Sequence, residues 1–547
     1  MLWPLIEKIE ETWHEWSNIR LMRLDHVMAN RMLALFIGTV TLASICGMAR
    51  GSEDLSQSAL THTNQAKKYL DLKDLDRARK ELKTAIRMDP TYGEAYDVLG
   101  QLDLRTGNTE GAISAFRQAV KLQPKSFSSR YGLAMAYLRE HDVQQGLSEL
   151  RTAVTLRPAD VDANYNLGVL LLDEGHTAEA IEHLRRAQAP GENRPDVAYH
   201  LIRAELAANN LDEARKDGRK ASQALASDPA WQAAVGQLFL EHHEAGEAIA
   251  YLSRAHALRP DSVEVQRQLA GACLESNQPG KVLDLVKEPQ TADDYYLLAG
   301  ANYLLRHYEL AAKNANAALH MDSSQPRYLL LAARIEQHLG RHQDALSLLE
   351  NTIRLAPKWA DPYYSAGVSL YCEKRYTEAQ KYLARSLELQ PDSARALFLY
   401  AVSLVSEGNE QEGETYLRKA VALNPGNAHF RYYLGEILMR QNRLSEAEEV
   451  YRQAVRIDPN YAPLHYQLGK LLLRSNHPAV AAQETEKAIS LDPDLAEAYY
   501  QLSQAYNRLG EKEKSTRAAA IFAKLKKEPV GDKEKFYESV KKDLGLP

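Results

Sequence analysis

The chain has 547 residues, of which 26% are charged, and its formal net charge is −6. So small a net charge over this length gives no bulk electrostatic reason to expect nucleic-acid binding. Its three cysteines, Cys46, Cys273 and Cys372, stand far apart in the sequence. That spacing argues against a disulfide framework and against a thiolate metal site.

An uncharged apolar segment, residues 32–49, lies near the N-terminus and follows Arg31. Its length and composition predict a secretory signal peptide or a single transmembrane anchor, with a buried helix of the soluble domain as the alternative. Gly47 and Ala49 have the spacing of a signal-peptidase site. Ile45 precedes the cysteine where a lipobox needs a small residue, so lipidation is not expected.

The leader before this segment, residues 1–31, is long for a signal peptide, and a start at Met28 would leave residues 1–27 untranslated. Basic residues before the apolar segment and acidic residues after it predict that the rest of the chain is exported. We therefore expect a periplasmic protein, or one anchored in the inner membrane with its repeats outside the cytoplasm. Whether the segment is cleaved or retained stays open.

A proline recurs every 34 residues in two stretches of the chain. A fixed period of this length indicates a stack of similar helical units. Between the two stretches the spacing is irregular, and Ser323 stands where the next proline is expected. The regular prolines are Pro90, Pro124 and Pro158 in the first stretch, and Pro357, Pro391, Pro425, Pro459 and Pro493 in the second.

Each unit is numbered here so that the recurrent proline is position 32. In the unit that begins at Gly93, small residues fill positions 8, 20 and 27, and larger apolar residues fill positions 7 and 24. Positions 4, 7, 8 and 11 have helical spacing, as do positions 20, 24 and 27, which predicts two amphipathic helices. A turn such as residues 105–108 separates them, and the proline ends the second helix.

This pattern resembles the tetratricopeptide repeat, a helix–turn–helix unit of 34 residues. The resemblance covers residues 59–525, close to fourteen units. It implies an all-α fold, a right-handed superhelical solenoid of antiparallel helix pairs that binds peptides or proteins in its concave groove. Co-chaperone members of the family use lysine at position 5 and asparagine at position 9. Position 5 here is mainly tyrosine, which argues against a chaperone-tail clamp.

The repeats divide into blocks of different regularity. Residues 59–192 are predicted as a regular block, 193–322 as an irregular block and 323–529 as a second regular block, followed by a capping helix over 530–547. The second helix before Pro289 is expected to be short. We hypothesise that the irregular block bends the superhelix or loosens its stacking.

Positions 5, 9 and 13 of each first helix share one face, which by the resemblance lines the groove. Tyrosine rings beside guanidinium groups suit an extended peptide. The alternative is that the tyrosines pack between adjacent first helices, with the arginines stacked on them. The predicted groove residues are Tyr131, Tyr165, Tyr364, Tyr432, Tyr466 and Tyr500 at position 5, and Arg105, Arg139, Arg440, Arg474 and Arg508 at position 13.

The sequence contains no complete catalytic motif. Gly280-Lys281 lacks the remaining residues of a phosphate loop, and the sequence 243–247 ends in glutamate where a zinc-protease helix needs histidine. We therefore expect no enzyme activity, no cofactor, no metal and no nucleic-acid partner.

The predicted function is a scaffold that binds peptide or protein segments during assembly of cell-envelope, secretion or polysaccharide machinery. The alternative is an accessory subunit that presents substrate to a separate glycosyltransferase or peptidase. The sequence leaves the partner and the oligomeric state open.

Overall fold

The computed structural model describes residues 54–188 and 194–527, and these residues form helices and turns without strands. The all-α prediction is therefore confirmed. Within those two ranges no helix combines the length and apolarity needed to cross a membrane. The predicted leader (1–31), apolar segment (32–49) and capping helix (530–547) lie outside the described residues.

The described residues up to Ala226 form one compact unit of paired helices. Odd-numbered helices are the first helices of their repeats and even-numbered helices are the second. The unit contains α1 (54–71), α2 (Leu75–Met88), α3 (Gly93–Arg105), α4 (Thr109–Leu122), α5 (Phe127–Arg139), α6 (Val143–Leu156), α7 (Val161–Asp173), α8 (Thr177–Ala187), α9 (Pro195–Ala207) and α10 (Leu211–Ala224).

The second compact unit begins at Ser227 and continues the alternation. It contains α11 (Pro229–Glu241), α12 (Ala245–Leu258), α13 (Val263–Glu275), α14 (Pro279–Leu285), α15 (Ala292–Leu304), α16 (Tyr308–Met321), α17 (Pro326–His338), α18 (His342–Leu355), α19 (Ala360–Cys372), α20 (Tyr376–Leu389), α21 (Ala394–Ser406), α22 (Glu410–Leu423), α23 (Ala428–Arg440), α24 (Leu444–Ile457), α25 (Ala462–Arg474), α26 (Pro478–Leu491), α27 (Ala496–Arg508) and α28 (Lys512–Lys527).

The irregular block contains two local departures from the repeat. Helix α14 has seven residues, half the length of most second helices, which confirms the short helix predicted before Pro289. The division between the compact units, at Ala226 and Ser227, falls inside the predicted irregular block. Whether that block acts as a hinge stays a prediction.

Turns and caps separate the two helices of each repeat. Gly107 and His141 take left-handed backbone conformations, with φ of +77° and +62°, that stop α3 and α5. Asn108 and Asp142 then cap α4 and α6, because each side-chain oxygen accepts a hydrogen bond from a backbone N–H of the first turn. Polar residues at these turns thus satisfy helix ends that would otherwise lack partners.

Within a repeat the two helices meet most closely at position 8. A Cβ added to Gly100 would lie 2.8 Å from the ring of Phe116, and one added to Gly435 would lie 2.5 Å from the ring of Tyr451. Phe116 and Tyr451 occupy position 24 of the same repeats and are fully buried. Small residues at position 8 thus permit close approach, and the large residue at position 24 fills the space.

A side chain at position 4 bonds the carbonyl of the preceding recurrent proline in five repeats. The same side chain often reaches the second helix: Arg130 also pairs with Glu149 (2.7 Å), and Asn164 also bonds His183 (2.9 Å). The recurrent proline therefore supplies an acceptor as well as ending a helix. The five contacts are Arg130 to Pro124 (3.1 Å), Asn164 to Pro158 (2.9 Å), Tyr363 to Pro357 (3.2 Å), Arg431 to Pro425 (2.5 Å) and His465 to Pro459 (3.0 Å).

The substitution Gly435→Ala should destabilise the protein by about 1–3 kcal/mol, because the new methyl group must displace the buried ring of Tyr451. Gly271→Ala, inside α13, is the matched control, since nothing lies within 4 Å of its added Cβ. There the gain in helix propensity should stabilise the chain by up to about 1 kcal/mol. Thermal and denaturant unfolding measure both; equal effects of the two variants would contradict the close-approach account.

The two hydrogen bonds that the His465 ring makes are expected to depend on pH. Its Nδ1 lies 2.7 Å from Glu484 Oε2 and its Nε2 lies 3.0 Å from the Pro459 carbonyl, so only the doubly protonated ring donates to both. The hydrogen bond to Glu484 raises the pKa of His465. The resulting stabilisation is complete below the unfolded-state pKa of about 6.5, and it is lost as the pH rises through the higher folded-state pKa.

The variant His465→Arg should place a permanent cation there, as Arg130 does in its own repeat. The melting temperature of the natural chain should therefore fall relative to this variant as the pH is raised above about 6.5. Parallel melting curves at all pH values would show that the His465 proton makes no contribution to stability.

Candidate functional site

Successive first helices lie side by side within each compact unit, as α3 contacts α5, α19 contacts α21 and α25 contacts α27. Their positions 5, 9 and 13 fall on one side of this row because they are separated by about one helical turn each. We call this surface the first-helix face. All eleven predicted groove residues belong to it, in two groups on the two compact units.

In the first unit the position-5 tyrosines are half-buried between neighbouring first helices. Tyr131 stacks on Phe127, with ring centroids 5.7 Å apart, and its hydroxyl accepts a hydrogen bond from Asn166 Nδ2 at 2.7 Å. Tyr165 has the guanidinium of Arg194 over its ring at 5.1 Å. Burial raises the pKa of both phenols, so both are neutral donors or acceptors at ordinary pH.

The second unit repeats this packing until its last tyrosine. Tyr364 lies under the guanidinium of Arg395 at 5.5 Å, and Tyr432 is only 8% exposed. Tyr466 is partly buried, and burial raises its pKa to about 12. Tyr500 differs, because 50% of it is exposed and it packs against Phe522 on one side only. Most of the tyrosines thus join neighbouring repeats, and Tyr500 presents a ring to solvent.

Three position-13 arginines bond to the end of the preceding first helix. Each guanidinium donates to the backbone carbonyl at position 12 of the previous repeat, which also accepts a hydrogen bond from a backbone N–H of the following turn. A cation there also interacts favourably with the helix dipole. The bonds are Arg139 to Leu104 (2.7 Å), Arg474 to Met439 (3.2 Å) and Arg508 to Leu473 (2.5 Å).

The other two predicted arginines are placed differently. Arg440 lies 3.7 Å from Glu410, and Arg105 is exposed with no hydrogen bond or ion pair to any described residue. The alternative that position-13 arginines stack on the tyrosines is wrong in the described ranges. The guanidinium groups over Tyr165 and Tyr364 come instead from Arg194 and Arg395.

Position 9 adds a charged cluster in the second unit that the sequence analysis did not single out. Glu436, at position 9 of α23, is partly buried, and its carboxylate accepts a hydrogen bond from Gln467 Nε2 at 3.0 Å. Burial raises the pKa of Glu436, while Arg440 and Lys470 oppose that shift from nearby. The sequence could have indicated this cluster, because Arg440 follows Glu436 by four residues and Lys470 occupies the same position one repeat later.

The described residues contain no group of three histidine, cysteine, aspartate or glutamate side chains placed to hold a metal ion. His243, from the sequence that resembled a zinc-protease helix, lies in the turn between α11 and α12 with φ of +60°. The chemical character of the first-helix face therefore comes from its tyrosines, its cations and the Glu436 cluster.

Comparison with known proteins places these features in a family. A family model described as tetratricopeptide repeat matches residues 63–127, 131–195, 296–358, 364–428, 408–462 and 466–528, and a second model of the same description matches 171–238. Together they cover more than half of the chain. A search of curated proteins found no match.

Solved structures of low identity resemble the chain. The Cut9–Hcn1 hetero-tetramer of the APC/C is 15% identical, with a TM-score of 0.41, and covers 80% of this chain and 95% of its own. YrrB, described as a tetratricopeptide-repeat protein with an unusual peptide-binding site, is 22% identical with a TM-score of 0.30; it covers 34% of this chain and 96% of its own. Naa15/Naa10 bound to HypK is 15% identical with a TM-score of 0.35, covering 85% and 76%.

The arginine bonds to helix ends predict a modest effect on stability. Arg508→Ala should lower the free energy of unfolding by about 0.5–1.5 kcal/mol, because the Leu473 carbonyl loses its bond from the guanidinium and keeps only that from the Asn476 backbone N–H. Arg105→Ala should leave it unchanged, since Arg105 bonds no described residue. Denaturant titration of both variants tests this; equal losses would mean that the carbonyl bonds contribute nothing specific.

Proposed function

Because this chain is a member of the tetratricopeptide-repeat family, whose fold generally serves as a non-catalytic scaffold for protein–protein interaction, we propose that it too acts as a scaffold. It binds peptide or protein segments along its first-helix face and has no catalytic activity of its own. The observation that carries the proposal is the set of exposed side chains at positions 5, 9 and 13 of α25 and α27. They comprise Lys470, Arg474, Tyr500, Gln504 and Arg508.

This set has the composition of a binding surface. An exposed aromatic ring offers apolar contact area with little loss of side-chain entropy, and guanidinium groups offer several donors in a fixed plane. The side chains beneath the set, including Leu468, Leu472 and Leu502, are buried. Exposed groups above a closed core are available to a partner without disturbing the fold.

We place this activity outside the cytoplasm, in the assembly of cell-envelope, secretion or polysaccharide machinery. The support is the apolar segment 32–49 with Arg31 before it and Glu53 and Asp54 after it. A retained segment would hold the repeats at the membrane, and a cleaved one would release them to the periplasm.

Site-specific crosslinking of the full chain tests both parts of the proposal. A photo-crosslinking amino acid at Tyr500, on the first-helix face, should capture a protein partner from intact membranes. The matched control is the same amino acid at Val480, which is 42% exposed on the second helix α26 and should capture none. Equal capture at both sites, or capture at Val480 alone, would contradict binding along the first-helix face.

N-terminal sequencing of the recovered chain reports whether residues 32–49 are retained. Recovery from the cytosolic fraction alone would contradict the proposed location. A stoichiometric enzyme at Tyr500 would identify the protein as an accessory subunit that presents substrate, whereas several structural envelope proteins are expected from a scaffold.

A further inference from the structure

We infer that the first-helix face between α21 and α27 binds an acidic extended segment of its protein partner. This inference rests on the proposed function and specifies the chemistry of the partner. It starts from a chain whose net charge is −6 but whose charges are divided unequally between the first and second helices from α20 to α27.

The first helices of the last four described repeats carry an excess of positive charge. Helices α21, α23, α25 and α27 contain only two acidic residues, Glu436 and Glu497. Taken together, the neighbouring second helices α20, α22, α24 and α26 contain ten glutamates and seven cations, whereas α28, the last second helix, is itself basic. The six cations on the first helices are Arg395, Arg431, Arg440, Lys470, Arg474 and Arg508.

Arginines on the second helices are neutralised within the chain. Every arginine of α20, α22 and α24 lies within ion-pair distance of a glutamate. Charges paired in this way contribute little to a long-range field. The pairs are Arg385–Glu388 (2.6 Å), Arg418–Glu414 (2.8 Å), Arg452–Glu448 (2.7 Å) and Arg456–Glu449 (3.8 Å).

Cations on the first helices mostly bond neutral groups instead. Arg474 and Arg508 donate to backbone carbonyls, and Arg395 lies over a tyrosine ring. Lys470 is exposed, and no described residue forms a hydrogen bond or ion pair with it. A guanidinium has five N–H donors, so one or two bonds to carbonyls leave donors and the full charge for a carboxylate.

Glu436 does not cancel this excess. Its carboxylate lies near Arg440 and Lys470, and Arg440 also lies 3.7 Å from Glu410. Burial raises the pKa of Glu436, while both neighbouring cations oppose that shift. The excess is therefore carried by α25, which contains no acidic residue and whose Arg474 forms no ion pair with a described residue.

An acidic peptide fits this surface better than a nucleic acid does. Single strands bind by stacking bases on free aromatic rings beside cations. Tyr432 is buried, and Tyr364 is covered by Arg395, so their rings offer no platform. Among the predicted groove tyrosines of this unit, only Tyr500 is as much as half exposed. The face thus offers a line of cations with one free ring.

The test uses the full chain and a synthetic fluorescent peptide of alternating glutamate and serine, with a lysine–serine peptide of the same length as comparator. The glutamate peptide should bind, and its affinity should fall at least about tenfold between about 0.05 M and 0.5 M salt because the contacts are exposed charges. The lysine peptide should not bind. Equal binding of both peptides, or of neither, would overturn the inference.

Charge-removing variants then locate the site. Lys470→Gln alone should weaken binding about threefold, and Lys470→Gln with Arg474→Gln and Arg508→Gln at least about tenfold. The matched control, Arg385→Gln with Arg418→Gln and Arg452→Gln on the second helices, should change it less than about twofold. Since the Lys470 side chain forms no hydrogen bond or ion pair with any described residue, its single variant keeps the test valid if the triple variant is unstable.

The outcomes separate this inference from the proposed function. Capture of a protein at Tyr500 without binding of the glutamate peptide would leave the scaffold function standing and refute the acidic partner. Tighter binding of a single-stranded oligonucleotide than of the peptide, abolished by the same three substitutions, would identify a nucleic-acid surface and overturn the inference.

Discussion

The close contact between position 8 and position 24 is the constraint on which repeats such as α3–α4 and α23–α24 depend. Because glycine stands at position 8 in repeats such as those of Gly100 and Gly435, the second helix can set a large buried side chain directly against the first. That contact fixes how the two helices pair, and the pairing decides which side of the first helix stays uncovered. The first-helix face follows from an interior packing requirement.

Contacts between repeats then determine the chemistry of that face. In five repeats a side chain at position 4 bonds the preceding proline carbonyl, and in three an arginine at position 13 bonds the end of the first helix one repeat earlier. Glutamates that could have neutralised those arginines lie on the second helices, where other arginines pair with them. Arginines on the first helices thus bond mainly to carbonyl acceptors, and those on the second helices pair with carboxylates. The first-helix face therefore keeps cations that no carboxylate of the described residues neutralises.

The sequence predicted the helix pairs, their turns and the short helix α14, because these depend on residue types that recur at fixed positions. It also placed the tyrosines and arginines on one face. It did not predict the tie at position 4, where arginine, asparagine, tyrosine and histidine all make the same bond and no single residue type recurs. It missed the carbonyl role of Arg474 and Arg508 for another reason: backbone acceptors carry no sequence signal. The division at Ala226 depends on contacts between distant residues, which periodicity alone does not report.

Hydrogen exchange of the full chain, with and without the glutamate–serine peptide, tests the central claim most directly. If the first-helix face between α21 and α27 is the binding surface, the peptide should slow exchange in α23, α25 and α27 and leave α22, α24 and α26 unchanged. Slowed exchange on the second helices, with none on the first, would contradict the account.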